Sequence, residues 1–187
     1  MTKDELCAKM KVRMENREVF TRSIRIMYHI GDKVVYPMHG AGVIESIEEH
    51  EVLGQKKIYY IMKMPAGEMK AMIPMDTCEN IGVRFVISKE EARHVLEAFR
   101  AHAVLEDSNW NKRHRDNMQK IRSGDIYQVG DVVKDLMYRE KAKGLSTSER
   151  KMLNNAKQIM VSELVLSSVA GKSDIENIIT DTVEELF

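Results

Sequence analysis

The amino-acid sequence predicts an α+β protein: a small N-terminal β module of the Tudor or SH3 kind, followed by a compact all-helical domain. Three observations carry this. Between Ile30 and Val86, short β-rich runs alternate with Pro and Gly turn signals, as a small bent antiparallel sheet requires. After Ile87 the apolar residues recur at helical spacing. Three Ser-x-x-Glu boxes, at Ser88, Ser146 and Ser173, each stand where an apolar periodic run begins. The division expected is a 1–26 extension, a 27–86 β module and an 87–187 helical domain.

In chain order, residues 1–26 come first. Seven cations from Lys3 to Arg25 outnumber four acids, and the apolar residues are scattered. Leu6, Met10 and Met14 could form one helical face, but a lone short helix is marginal, so this segment reads as a tail, possibly upstream of the natural start. Lys33–Tyr36 is a short strand closed by Pro37. Gly40 and Gly42 punctuate the entry to a second strand, Val43–Val52, with Val43, Glu45, Ile47 and Glu49 expected on one face. Gly54-Gln55 marks a turn into the β-rich run Lys57–Met64. Pro65-Ala66-Gly67-Glu68 marks another, before a strand from Met69 to Ile73.

The helical half opens with Ser88 capping a helix that carries Ala92, Val95, Leu96 and Phe99 on one face. A second helix starts near Trp110, capped by Ser108 or Asn109, with Gly124 as its stop. Asp125 caps a third, whose stripe is Val129, Val132, Val133, Leu136 and Met137 and whose stop is Gly144. The Ser146 box opens a long helix with Met152, Ala156, Ile159, Met160, Leu164 and Leu166. The Ser173 box opens a final one with Ile178, Ile179, Val183 and Leu186.

Composition bounds what such a chain can do. In 187 residues, 29 Lys and Arg balance 29 Asp and Glu, so nucleic-acid binding would need a local patch rather than bulk charge. The two cysteines, Cys7 and Cys78, lie far apart with no metal-binding spacing, which suits a reducing compartment. No apolar run is long enough to span a bilayer. A cytoplasmic, nucleoid-associated monomer without membrane contact is expected.

Catalysis is not expected. His39 and Cys78 could serve as base and nucleophile, but no third group orients them, and a turn histidine with a buried thiol is the simpler reading. Gly40, Gly42 and Gly54 are followed by no Gly-Lys-Ser/Thr element. His29, His50, His94, His102 and His114 have no ligand spacing, so neither metal nor cofactor is expected. The 14 methionines are read as core filler.

What remains is the stretch from Asp107 to Arg122. It holds the only tryptophan, followed closely by Lys112, Arg113 and Arg115. By residue type alone Trp110 belongs in a core. Its flanks Asn109, Asn111, Lys112 and Arg113 are all polar and point instead to an exposed indole beside cations, the pattern of a minor-groove wedge. The basic run could equally be a plain solvated face.

These residues also carry a resemblance. Ile30-Gly31-Asp32-Lys33-Val34-Val35-Tyr36-Pro37-Met38-His39-Gly40-Ala41-Gly42-Val43 resembles the opening of the CarD/CdnL family of bacterial transcription regulators. The similarity continues through Gly82-Val83-Arg84, Asn109-Trp110-Asn111-Lys112-Arg113, Ser123-Gly124-Asp125 and Lys143-Gly144-Leu145-Ser146 to Glu149–Leu153. The opening motif is shared with the polymerase-binding module of transcription-repair coupling factors, whereas the Asn-Trp-x-Lys/Arg-Arg motif singles out CarD/CdnL. The resemblance implies a Tudor-like module that binds the β-subunit of bacterial RNA polymerase by adding a strand edge. It implies a helical domain that stabilises the promoter open complex, with Trp110 in the minor groove at the upstream edge of the bubble. Asn109, Lys112, Arg113 and Arg115 would accompany Trp110 on the DNA, without sequence-specific reading. The polymerase-facing set would be His50, Glu51, Met72 and Ile73; family members often place arginines where this chain has His50 and Met72. No long charged appendage is present, so the chain resembles the minimal, CdnL-like form. The competing expectation is a protein-interaction adaptor, without DNA binding, in which Trp110 is structural.

Overall fold

The structure, a computed structural model, describes residues 28–52, 54–65, 69–104 and 109–187. The expectations for 1–26 and for the turn at 66–68 fall outside them, as does Ser108 as a cap. Five antiparallel strands come first: β1 (Lys33–Tyr36), β2 (Gly40–Val52), β3 (Gln55–Lys63), β4 (Lys70–Pro74) and β5 (Arg84–Phe85), in sheet order β4-β3-β2-β1-β5. A single-turn helix, α1 (Cys78–Ile81), precedes β5. Five helices follow: α2 (Lys89–Ala101), α3 (Trp110–Arg122), α4 (Ile126–Lys143), α5 (Thr147–Leu166) and α6 (Lys172–Glu184). Strands then helices, an α+β order, is the architecture the sequence predicts.

β2 starts three residues earlier than its periodicity suggests, because both glycines lie inside the strand. A Cβ on Gly40 would stand 2.6 Å from Ser162 Oγ of α5, and one on Gly42 would stand 2.6 Å from the Lys63 carbonyl of β3. Gly40 also has φ of +101°, a backbone that side chains rarely adopt. The backbone of β2 therefore rests directly on α5, and the Ala41 N–H donates to Ser162 Oγ at 2.9 Å. A bulge between Ile44 and Ser46 then shifts the alternation. Val43 pairs with Lys63 on the outer face, while Ile47 opposite Tyr60 and Glu49 opposite Ile58 turn to the other. The expected common face of Val43, Glu45, Ile47 and Glu49 is thus broken at the bulge.

The sheet closes over a core of Tyr28, Val34, Ile44, Tyr60, Met62, Met64, Ile73, Cys78 and Val83. The buried Tyr28 hydroxyl donates to the Val83 carbonyl at 2.7 Å, and burial pushes its pKa up to about 12. A second core joins α2, α4, α5 and α6 through residues such as Phe99, Val132, Leu136, Met160, Leu164 and Ile179.

Most helix starts match their sequence signals. Ser88 accepts from the Glu91 N–H, Asn109 from Lys112 and Asp125 from Tyr127. Ser146 and Glu149 complete a reciprocal capping box. The box at Ser173 is the exception. α6 begins at Lys172 with Gly171 as its cap, so Ser173 lies inside the first turn. The acid three residues after the cap is Asp174, and its carboxylate stands 3.2 Å from where a Gly171 Cβ would be.

Lys134 is fully buried in α4, and its ammonium donates to the carbonyls of Phe99, Arg100 and His102 at 2.8–2.9 Å. These are orphan acceptors at the C-terminus of α2, where the helix dipole favours a cation. Burial pulls the Lys134 pKa below the usual lysine value. Lys134→Met keeps the stem and removes the donors. It is expected to cost about 2–3 kcal/mol in urea unfolding, from unpaired carbonyls. A variant as stable as the wild type would show that water replaces the ammonium.

Candidate nucleic-acid interface and sheet face

α3 is anchored along one stripe, one turn apart: Arg113, Asn117 and Ile121 are all buried. Trp110 continues the same stripe at the first residue of the helix, but projects past the core and is 44% exposed. Its ring stacks on His114, with centroids 5.2 Å apart and planes 24° from parallel. The helix start is fixed by Asn109, whose Oδ1 accepts from the Lys112 N–H at 3.1 Å. An apolar plate thus stands at the end of a rigid element.

Arg113 departs from its expected role. It is only 8% exposed, with Nε and Nη2 at 2.9 and 2.5 Å from Glu149 Oε1. Glu149 is also buried and accepts from Ser146 as the capping-box acid of α5. Burial alone would raise the Glu149 carboxyl, but hydrogen bonds from Arg113 and Ser146 outweigh it and hold the pKa below the usual carboxylate range. Arg113 therefore ties α3 to the start of α5, and its guanidinium is turned away from any ligand on the surface.

Lys112 and Arg115 are exposed. They lie about 200° and 140° around the helix from Trp110, on the outward face shared with Asn111, Gln119 and Arg122. Arg115 has one acid nearby, with Nε 3.6 Å from Asp116. The indole and the cations thus share the N-terminal half of α3 but not one face. A ligand touching both must wrap the helix end. His114 was passed over in the sequence because no metal spacing includes it; its i,i+4 relation to Trp110 was the available signal.

On the sheet, register decides which residues share a face. Ser46, Ile61 and Met72 stand opposite one another, as do Glu48, Tyr59 and Pro74, and His50 pairs with Lys57. His50 and Met72 therefore lie on the same outer face, with Tyr59 and Ile61 between them, and the His50 and Tyr59 rings meet at 5.9 Å. Met72 is 44% exposed. Ile73 is 0% exposed because it faces the core against Tyr60, and Glu51, opposite Lys56, falls on the parity opposite to His50. Neither joins His50 and Met72. Tyr59 and Ile61 were not singled out in the sequence, because side-chain parity across β2, β3 and β4 is fixed only by register. β4 is an edge strand and pairs with β3 on one side only.

His39 packs on the Tyr36 ring in the β1–β2 turn, 4.4 Å between centroids, whereas Cys78 is buried and donates to the Met75 carbonyl. Burial pushes the Cys78 thiol up, so the two form no nucleophile–base pair. Among the described residues no group of three His, Cys, Asp or Glu could hold a metal, and no helix is long and apolar enough to cross a membrane.

Comparison with known proteins matches both halves of the chain. Residues 28–87 match the CarD-like/TRCF RID domain, and residues 94–180 match the C-terminal domain of CarD. A Bacillus subtilis (strain 168) protein named as a proposed transcription factor, YdeB, is 41% identical over 147 residues, 78% of this chain and 96% of its own length.

Proposed function

Because the chain belongs to the CarD family and so to a class of transcription regulators, we propose that it stabilises promoter open complexes through two contacts. The sheet module docks on the β-subunit of RNA polymerase through the free edge of β4, with Met72 and His50 on the flanking face. Trp110 then inserts into the minor groove at the upstream edge of the bubble, and Lys112 and Arg115 hold phosphates on either side. The observation that carries this reading is Trp110 itself. A half-exposed indole heads a helix whose other inward residues are locked into the core.

A rigid wedge suits the task, since it acts only by binding the opened promoter better than the closed one. A differential of about 1–2 kcal/mol corresponds to a lifetime extension of roughly 5- to 30-fold. Asn109 acts through its cap, fixing where the helix and its tryptophan begin, and Arg113 through its ion pair with Glu149.

The test is open-complex lifetime on a promoter with the cognate polymerase. Trp110→Ala is expected to abolish the extension, while costing no more than about 1 kcal/mol in stability, because the ring is half exposed. Replacing Lys112 and Arg115 together by Gln is expected to lower the slope of log affinity against log salt by about 1–2. An unchanged lifetime with polymerase binding retained would assign an adaptor with a structural Trp110.

A further inference from the structure

We propose that His114 is the positioning residue for Trp110: its ring is the platform that holds the indole in the orientation needed for insertion. The proposal rests on the wedge reading for its functional half and on geometry for the rest. The two rings stack nearly parallel at 5.2 Å, one helical turn apart, so the indole has a flat partner on one face and solvent on the other. Trp110 has no preceding helical turn to pack on, and its cap partner, Asn109, touches backbone only. His114 is the ring the structure places against the indole.

The polar atoms of His114 add a second observation. Its Nδ1 is buried with no hydrogen-bond partner among the described residues. Buried ring nitrogens are ordinarily paired, so an unpaired one is not accounted for by local stability. What this imidazole provides is its flat face. A phenyl ring would provide the same face without the unpaired nitrogen.

Function and stability therefore separate in a pair of variants. His114→Ala removes the platform and frees an indole that otherwise occupies one rotamer, which is expected to shorten open-complex lifetime about two- to tenfold. His114→Phe keeps the stack, keeps the lifetime within about twofold of wild type, and is at least as stable, since a buried unpaired nitrogen is gone.

Trp110 is the only tryptophan, so its fluorescence reports this contact alone, without DNA or polymerase. In the free protein, His114→Ala should speed the local anisotropy decay and raise acrylamide quenching, whereas His114→Phe should leave both near wild type. If His114→Ala leaves the fluorescence unchanged, the platform does not exist and the proposal falls. If the fluorescence responds and Trp110→Ala shortens the lifetime but His114→Ala does not, the positioning role falls. Equal lifetime losses in His114→Phe and His114→Ala would mean that a ring nitrogen contacts DNA, which also overturns it. If Trp110→Ala itself leaves the lifetime unchanged, the wedge reading has failed, and the positioning role falls with it even where the fluorescence shows the stack.

Discussion

Arg113→Ala is expected to destabilise the protein by about 3–5 kcal/mol, the usual cost of stranding one member of a buried ion pair. The stranded member would be Glu149, which is 3% exposed and already serves the capping box of α5. Arg139 offers little relief, since its Nε lies 3.9 Å from Glu149 Oε1. Arg113→Lys should not restore stability, because a single ammonium replaces two nitrogens that converge on one carboxylate oxygen. Urea unfolding followed by circular dichroism measures both variants. A loss under 1 kcal/mol, paired with a reduced salt slope for DNA, would return Arg113 to the phosphate contacts.

The same pair sets a pH dependence. Glu149 has a folded pKa below its ordinary value, so it contributes stability that is full above the usual carboxylate range and is lost as pH falls through the lowered folded value. Glu149→Gln should flatten the stability curve across that acid window and leave its slope above neutrality unchanged.

Arg113 also shows where sequence reading stops. The order of elements, the caps at Ser88, Asn109, Asp125 and Ser146, and the exposed position of Trp110 rest on signals a few residues apart. Such signals survive in the linear chain. Whether an arginine three residues after that tryptophan faces water or the interior depends on Glu149, 36 residues later, and nothing local distinguishes the two. Lys134 is the same case: a lysine beside the α4 stripe reads as solvated until the end of α2 is packed over it. On the sheet, Ile73 was grouped with Met72 as a neighbour in sequence. Adjacent strand residues face opposite ways, and only the register shows that His50 belongs with Met72. The bulge at Ile44 and Ser46 had no local marker at all. Local chemistry was legible; inward or outward orientation fixed by a distant partner was not.

The second large effect is expected at Glu163, which joins the two halves of the molecule. Its side chain is almost wholly buried, and its two oxygens accept from Arg84 Nη1 and Nη2 at 2.5 and 2.8 Å. Oε1 also accepts from the Ile87 N–H at 3.3 Å, at the junction between strands and helices. Arg84 in turn donates to the Gly124 carbonyl between α3 and α4, at 3.2 Å from Nε and 2.8 Å from Nη2. One ion pair thus ties β5, the end of the wedge helix and α5. Glu163→Ala is expected to cost about 3–5 kcal/mol, and Glu163→Gln less, because the amide oxygen still accepts one bond. The more telling result concerns cooperativity. With the pair intact, the two cores should unfold in one transition; in Glu163→Ala, near-ultraviolet signals from the tyrosines of the sheet and from Trp110 should separate. The functional consequence follows from geometry rather than stability. A wedge helps an open complex only if polymerase docking delivers it to the right place, and a loose joint lowers the effective concentration of the second contact. At a temperature where Glu163→Gln is fully folded, polymerase binding and the salt slope for DNA should persist while the lifetime extension shrinks. If the extension is retained in full, the joint is structural only and the two contacts act independently.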